Sequence, residues 1–293
     1  METYFQHNRA AIKISGPEAQ KLLNDVLTGT IPKTSENANW WALLSPQGKI
    51  QVDGMIGWVE GKNSTDIDNG NDGGFYLDVA CEAKAQFLRR LNMFKLRADA
   101  KIEDLSASHD VGWRKQPDPN SKQIEHKDAR EEFIGMAMGT RIIAKKSATE
   151  NWINNNGDLA LKRINLGLCQ LAQDFAPDNL FPHDIGMDLL GGIDFSKGCY
   201  VGQEVVSRMR HKGVVRKRPV IVTFIEGEPD DIKSGEEIVL ENKKIGVVGK
   251  VIKGKSVGIV RLDRIEKSQI SNATICGHGV ILAVPSWASY DFA

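Results

Sequence analysis

The sequence predicts an α+β fold that ends in a small β-barrel. Three observations carry this. Two stretches near the N-terminus repeat apolar residues at helical spacing, and short β-rich runs interleave with them. After Arg216 the texture changes to short β-branched runs separated by Gly and charged turns. The order strand, strand, helix, strand between Trp40 and Leu105 is that of helices laid against a mostly antiparallel sheet.

Ser15-Gly16-Pro17 reads as a helix start, with Ser15 as cap and Pro17 in the first turn. Ala19, Leu22, Leu23, Val26 and Leu27 then form one apolar face. Trp40–Leu44 is a buried strand, Ser45-Pro46-Gln47-Gly48 a turn, and Ile50–Val59 the second arm of a hairpin. The Asn/Asp/Gly-rich stretch from Gly61 to Gly74 lacks calcium-loop register, since the twelfth position from Asp68 is Val79 and not Glu. A plain loop is expected there. Phe75–Val79 is a strand, Ala83, Phe87, Leu88, Leu91 and Phe94 mark a second helix, and Ala98–Leu105 returns to strand. Gln116–Arg130, polar and carrying Pro117 and Pro119, reads as a linker or surface loop. Strands are expected at Val220–Ile225, Glu237–Leu240, Lys244–Ile252, Ser256–Arg261 and Ala273–Val284. The organisation is therefore an α+β lobe over 1–115, a second α+β lobe over 116–215 and a barrel over 216–293, with the last boundary near 212–218.

Lys+Arg and Asp+Glu both total 38, so the net charge is zero, which argues against nucleic-acid or membrane binding driven by bulk charge. No apolar stretch approaches the roughly 18 residues of a membrane span, and the N-terminus lacks the pattern of a secretory signal. Cys81, Cys169, Cys199 and Cys276 are scattered without a CxxC pair, so neither a disulfide scaffold nor a self-contained metal site is indicated. A reducing cytosol is the expected compartment. The sequons at Asn63 and Asn272 are then chance matches.

The most specific segment is Lys197-Gly198-Cys199-Tyr200-Val201-Gly202-Gln203-Glu204, followed by Val205, Val206 and Met209 on what reads as a short helix. Gly198 is expected to turn the backbone just before that helix. Cys199 would then lie near a helix N-terminus, with Lys197, Arg208, Arg210 and Lys212 around it, a setting that favours the thiolate. The bland alternative is a small packed Cys beside a Gly.

KGCYVGQE resembles the signature of the YgfZ-type folate-binding family, and ISGPEAQKLLNDVLT, WALLSPQGKIQVDG, FLRRLNMFKLRADAKIEDLS and FPHDIGMDLLGGIDFSKGCYVGQEVVSRMRHKG resemble the family in its order. The resemblance implies the fold of the glycine-cleavage T-protein, a ring of α+β lobes with a C-terminal β-barrel. It also implies tetrahydrofolate as cofactor and a supporting role in the maturation or repair of iron–sulfur proteins, among them radical-type tRNA-modifying enzymes. Iron–sulfur client or assembly proteins become the implied partners, and a monomer the implied state. No tightly bound metal is expected.

A reduced folate asks for a carboxylate on the pterin, an apolar wall and cations for its tail. Asp53 is the candidate carboxylate, Tyr200 a candidate stacking ring, and Arg97, Arg208, Arg210 and Lys212 the candidate cations. T-proteins resemble G-G-x-x-D-D at the Gly48–Asp53 stretch, and here Val52 replaces one acid. Their L-R-L-E-like stretch reads Leu166-Gly167-Leu168-Cys169-Gln170-Leu171, without the Arg and Glu. The alternative function, folate-dependent aminomethyl transfer, is weakened by both departures. A third reading, an RNA-linked module on the Arg208–Arg218 run, meets zero net charge and few aromatics in that run. The solitary motif Cys implies either one ligand to a cluster shared with a partner or thiol exchange with one.

Overall fold

The computed structural model describes residues 2–61, 73–154, 157–229 and 231–293, without the side chain of Lys212. Most of the Asn/Asp/Gly-rich stretch, the sequon at Asn63 included, lies outside the described residues. The chain forms two compact units. The first comprises Met1–Gln47, Gln51–Asn156 and Leu190–Gln203, and the second Gly48–Ile50, Gly157–Leu189 and Glu204–Ala293.

The first unit is built on β1 (Thr3–Phe5), β2 (Arg9–Ser15), β3 (Asn37–Leu44), β4 (Ile50–Val59), β5 (Gly74–Ala80), β6 (Lys101–Asp104), β7 (His109–Arg114), β8 (Ile124–Asp128) and β9 (Thr140–Lys145). Their order across the sheet is β1-β7-β9-β8-β3-β4-β5-β2-β6. Helices α1 (Ala19–Val26), α2 (Cys81–Lys95) and α3 (Glu131–Ile134) accompany it. The apolar face of α1 buries Ala19, Leu22, Leu23 and Val26 as its spacing requires. Trp41 of β3 packs on Phe87 of α2 with ring centroids 5.0 Å apart. Two local expectations are corrected. Ser15 ends β2 instead of capping α1, whose N-cap is Glu18; the Glu18 carboxylate accepts the Asp99 N–H at 2.7 Å instead of capping its own helix. The polar 116–130 stretch holds a strand, because β8 gains partners on both sides, parallel to β3 and antiparallel to β9. Tertiary pairing there overrides a weak local pattern.

The second unit carries α4 (Gly157–Asn165), most of α5 (Gln203–Lys212) and a closed barrel. The barrel strands are β10 (Lys217–Phe224), β11 (Glu237–Leu240), β12 (Lys243–Val248), β13 (Lys255–Arg261), β14 (Ala273–Ile275) and β15 (His278–Ala283). They close in the order β10-β13-β12-β11-β14-β15, with β15 back on β10. Val220, Val222, Ile238, Ile245, Val260, Ile275 and Leu282 fill the interior. The run expected as one strand at 273–284 is two, because Cys276 and Gly277 both adopt positive φ and reverse the chain.

Candidate functional site

The Cys motif is positioned by the segment Leu27–Thr30, which runs beside β3. Thr28 donates its N–H to the Ala42 carbonyl, and its hydroxyl receives the Ala42 N–H and donates to the Gly192 carbonyl at 2.7 Å. Asp194 accepts the Thr30 hydroxyl at 3.0 Å and returns its own N–H to the Thr28 carbonyl. Gly29 is required here, because an added Cβ would collide with the Trp40 carbonyl oxygen. Lys197 completes the strap: its ammonium donates to the carbonyls of Leu27 and Gly29, the latter at 3.0 Å. Burial brings this amine down to about 8, against the pull of Asp194 and Asp25. Lys197 therefore fastens the motif loop to the Leu27–Thr30 segment beside β3, a role its sequence position beside Cys199 did not show.

Tyr200 is buried beneath that ammonium, its ring centroid 5.2 Å from Lys197 Nζ, and burial raises its phenol to about 12. Cys199 between them is exposed. It lies four residues before Gln203, the first residue of α5, so it does not cap that helix. The turn expected at Gly198 occurs at Gly202, which takes φ 79°; Gly198 keeps ordinary φ and a Cβ there would meet nothing within 4 Å. Gln203 reaches back to donate to the Gly198 carbonyl at 3.3 Å. The loop thus presents a thiol outward between a half-buried Lys197 and a buried Tyr200.

Asp53 is only 4% exposed, on β4. The Trp40 indole N–H donates to its Oδ2 at 3.1 Å, while Oδ1 has no hydrogen-bond partner among the described residues. Burial raises its carboxyl, and the nearby Arg9 and Arg130 work against that rise. Both arginines belong to a buried network. Arg9 and Arg141 converge on Asp78, with Arg141 Nη1 at 2.6 Å, and Arg130 clamps Asp128 at 2.6 and 2.9 Å. Arg130 also lies over the Trp40 ring, 5.3 Å from its centroid. Three guanidinium groups thus face two fully engaged carboxylates and one half-engaged one. The arrangement leaves one buried carboxylate oxygen, Asp53 Oδ1, without a hydrogen-bond partner among the described residues beside an aromatic edge.

Asp53 and the motif are linked through β3: the Trp40 side chain holds Asp53, and its backbone carbonyl lies against Gly29, to which Lys197 is bonded. The cation candidates are placed otherwise. Arg97 is exposed just beyond α2 and has no ion pair among the described residues. Arg208 is exposed on α5 and pairs with Glu204 at 2.8 Å, and Arg210 is exposed on the same helix. The Arg208–Arg218 run is no continuous basic face, since Arg218 is buried on Asp188 at 2.7 Å. Val52, at the position of the missing acid, is fully buried. Sequence reasoning missed Trp40, Arg9, Arg130, Asp78 and Asp128. The only signal was a charge set among strand-forming residues, as in FYLDVA, with its partner 69 residues away.

The family described as CAF17, C-terminal beta-barrel domain, matches residues 216–290. The chain is similar to the protein named iron-sulfur cluster assembly factor IBA57 homolog, mitochondrial, of Neurospora crassa: 27% identity over 298 residues, covering 90% of this chain and 64% of that protein. The like-named proteins of Mycosarcoma maydis and Coccidioides immitis are 27% and 28% identical, covering 76% and 75% of this chain and 57% and 56% of those proteins. The chain spans less than two thirds of the length of these relatives. Among solved structures, glycine cleavage system aminomethyltransferase T from Bartonella henselae matches with TM-score 0.68 at 14% identity, over 99% of this chain and 87% of that one. The α+β fold with a C-terminal barrel is therefore that of the aminomethyltransferase. The cytosolic expectation is overturned, because these relatives are named mitochondrial. Unpaired cysteines report a reducing compartment and do not tell one such compartment from another.

Proposed function

We propose that this chain is a tetrahydrofolate-binding accessory factor for the maturation or repair of iron–sulfur proteins, acting where its relatives are named, in the mitochondrion or an equivalent compartment. Support for the iron–sulfur role comes from the relatives' names and from the KGCYVGQE motif that marks the YgfZ-type proteins. Support for the folate comes from one observation, the buried Asp53 oxygen without a partner beside the Trp40 indole. A buried carboxylate left half-satisfied is costly, and it persists in a native structure where a ligand meets it. Asp53 would accept the pterin's N–H donors, with Trp40 as wall and Arg9 and Arg130 favouring the charged form of the carboxylate against its burial. The folate when bound supplies one-carbon carrying capacity. Cys199 is the exposed thiol that offers one ligand to a cluster held with a partner, or exchanges thiols with one. Aminomethyl transfer is the weaker reading, because the second acid it calls for is the buried Val52.

Calorimetry of tetrahydrofolate on the wild type and on Asp53→Ala tests the site. Binding that weakens about tenfold or more in the variant is expected; absence of binding by folded wild type removes the folate from the proposal. Cys199→Ala is expected to keep its folate affinity while failing to support maturation of a client iron–sulfur enzyme. Full maturation by that variant would overturn the role of the thiol.

A further inference from the structure

Gln6-His7-Asn8 turns the chain from β1 to β2, held by Gln6 N–H to the Val111 carbonyl and by Arg9 N–H to the Gln6 carbonyl, both at 2.9 Å. The Asn8 carbonyl takes the Cys81 N–H, so this turn abuts the start of α2. Helix α2 is 15 residues long and its N-cap, Ala80, provides no side-chain cap. Apart from the Cys81 N–H, its opening N–H groups therefore lack a side-chain cap. Between this turn, the first turn of α2 and the β6–β7 turn lies a cavity of about 290 Å³, at the small end of ligand sites.

The lining is cationic. Lys84 and Lys146 stand on it, with the buried Arg9 behind and His7 and His109 at its edge. Lys84 is engaged by Asp104 at 2.7 Å, whereas Lys146 has no ion pair among the described residues. Asp110 is the one carboxylate of the lining, and it already accepts the Thr149 hydroxyl at 2.7 Å. Gln6 is decisive. It is 9% exposed and lines the cavity, and its side-chain amide has no hydrogen-bond partner among the described residues. That amide is left with its donors free for something with acceptor oxygens.

We infer that this cavity is a second binding site, for a small anion of the phosphate or carboxylate class, gripped by Gln6, Lys146 and Lys84 at the open end of α2. Its lining contains neither Asp53, Trp40 and Arg130 nor any residue of the Cys motif; Arg9, engaged by Asp78, is the one residue it shares with the folate proposal. Cys81, in the same lining, supplies a built-in reporter: an anion seated on the first turn of α2 covers its thiol.

The test follows alkylation of each cysteine by iodoacetamide with mass spectrometry, alongside calorimetry. The probes are inorganic phosphate and succinate, with chloride at matched ionic strength as control. One probe, or both, should give binding heat and slow alkylation of Cys81 about tenfold, with Cys199 and Cys276 unaffected; which probe does so tells phosphate chemistry from carboxylate chemistry. Lys146→Ala, an exposed change, and Gln6→Leu, which keeps volume but removes the amide, should each abolish the protection. The inference is overturned if neither probe binds folded wild type, if chloride protects equally, or if both variants remain folded and protected.

Discussion

At Asp53 one carboxylate oxygen rests on the Trp40 indole and the other has no partner among the described residues, so burial holds its proton more tightly than in an unfolded chain. Between the unfolded carboxylate value, about 4, and the raised folded value, the native state binds more protons than the unfolded one. Stability contributed by this site therefore falls as pH rises through that window, and the penalty is whole above the folded value. Asp53→Asn keeps the shape and removes the charge. We predict that it stabilises the fold at pH 7 by on the order of 1 kcal/mol, seen as a higher thermal midpoint, and that the gain vanishes near pH 4, where the wild-type carboxyl is protonated. Thermal melts at the two pH values check this. A lower midpoint for the Asn variant at pH 7 would mean that Arg9 and Arg130 need the charge for folding. Stability gained while folate affinity is lost would mark Asp53 as a residue kept for binding.

The motif loop shows how an element is set by contacts far from it in sequence. Lys197 and Asp194 tie it to Thr28, Gly29 and Thr30, about half the chain earlier, while the positive φ at Gly202 turns it into α5. Gly202→Ala should therefore cost about 1 to 2 kcal/mol, whereas Gly198→Ala, with open space and an ordinary φ, should change stability by no more than about 0.5 kcal/mol. Chemical denaturation of the two variants separates them. If Gly198→Ala is as stable as wild type yet inactive in maturation, the missing Cβ serves the approach of a partner. The periodic elements were legible in the sequence: α1, α2, the β3–β4 pair and the barrel strands follow from apolar spacing and turn residues. Strand β8 was not, because its pattern is polar and its pairing with β3 and β9 is remote. The same holds at the site. Cys199 and Asp53 could be named from a motif and a strand position. The strap of Lys197 onto Gly29, and the arginine network behind Asp53, depend on pairings that no local window contains.

The molecule as a whole carries zero net charge at neutral pH, so its stability there is not governed by overall repulsion, and individual buried groups decide how it responds to acid. His126, in the first unit, sits against the Trp58 carbonyl at 3.0 Å, and His183, in the second, is buried near Arg218 and Arg210; burial lowers both imidazoles below their ordinary value. In the unfolded chain they take up protons near pH 6.5, while the native state resists. The unfolded state then binds more protons, and stability falls as pH drops below about 6.5, with a slope approaching about 1.4 kcal/mol per pH unit for each histidine. Asp78 and Asp128 act lower on the scale. Burial opposes their charge, but the arginines that clamp them prevail and hold their carboxyls below the usual range. Their contribution stays whole until pH falls through the unfolded value near 4. Acid unfolding should therefore proceed in two stages, a moderate loss between about pH 6.5 and 5 and a steeper one below about 4. Urea midpoints across this range check the profile, and His126→Gln, which retains a side-chain donor for the Trp58 carbonyl, should flatten the first stage in part, His183 and His109 carrying the remainder, while leaving the second in place. An unchanged first stage in that variant would show that His126 is protonated in the native state, and that its pocket admits the charge its burial disfavours.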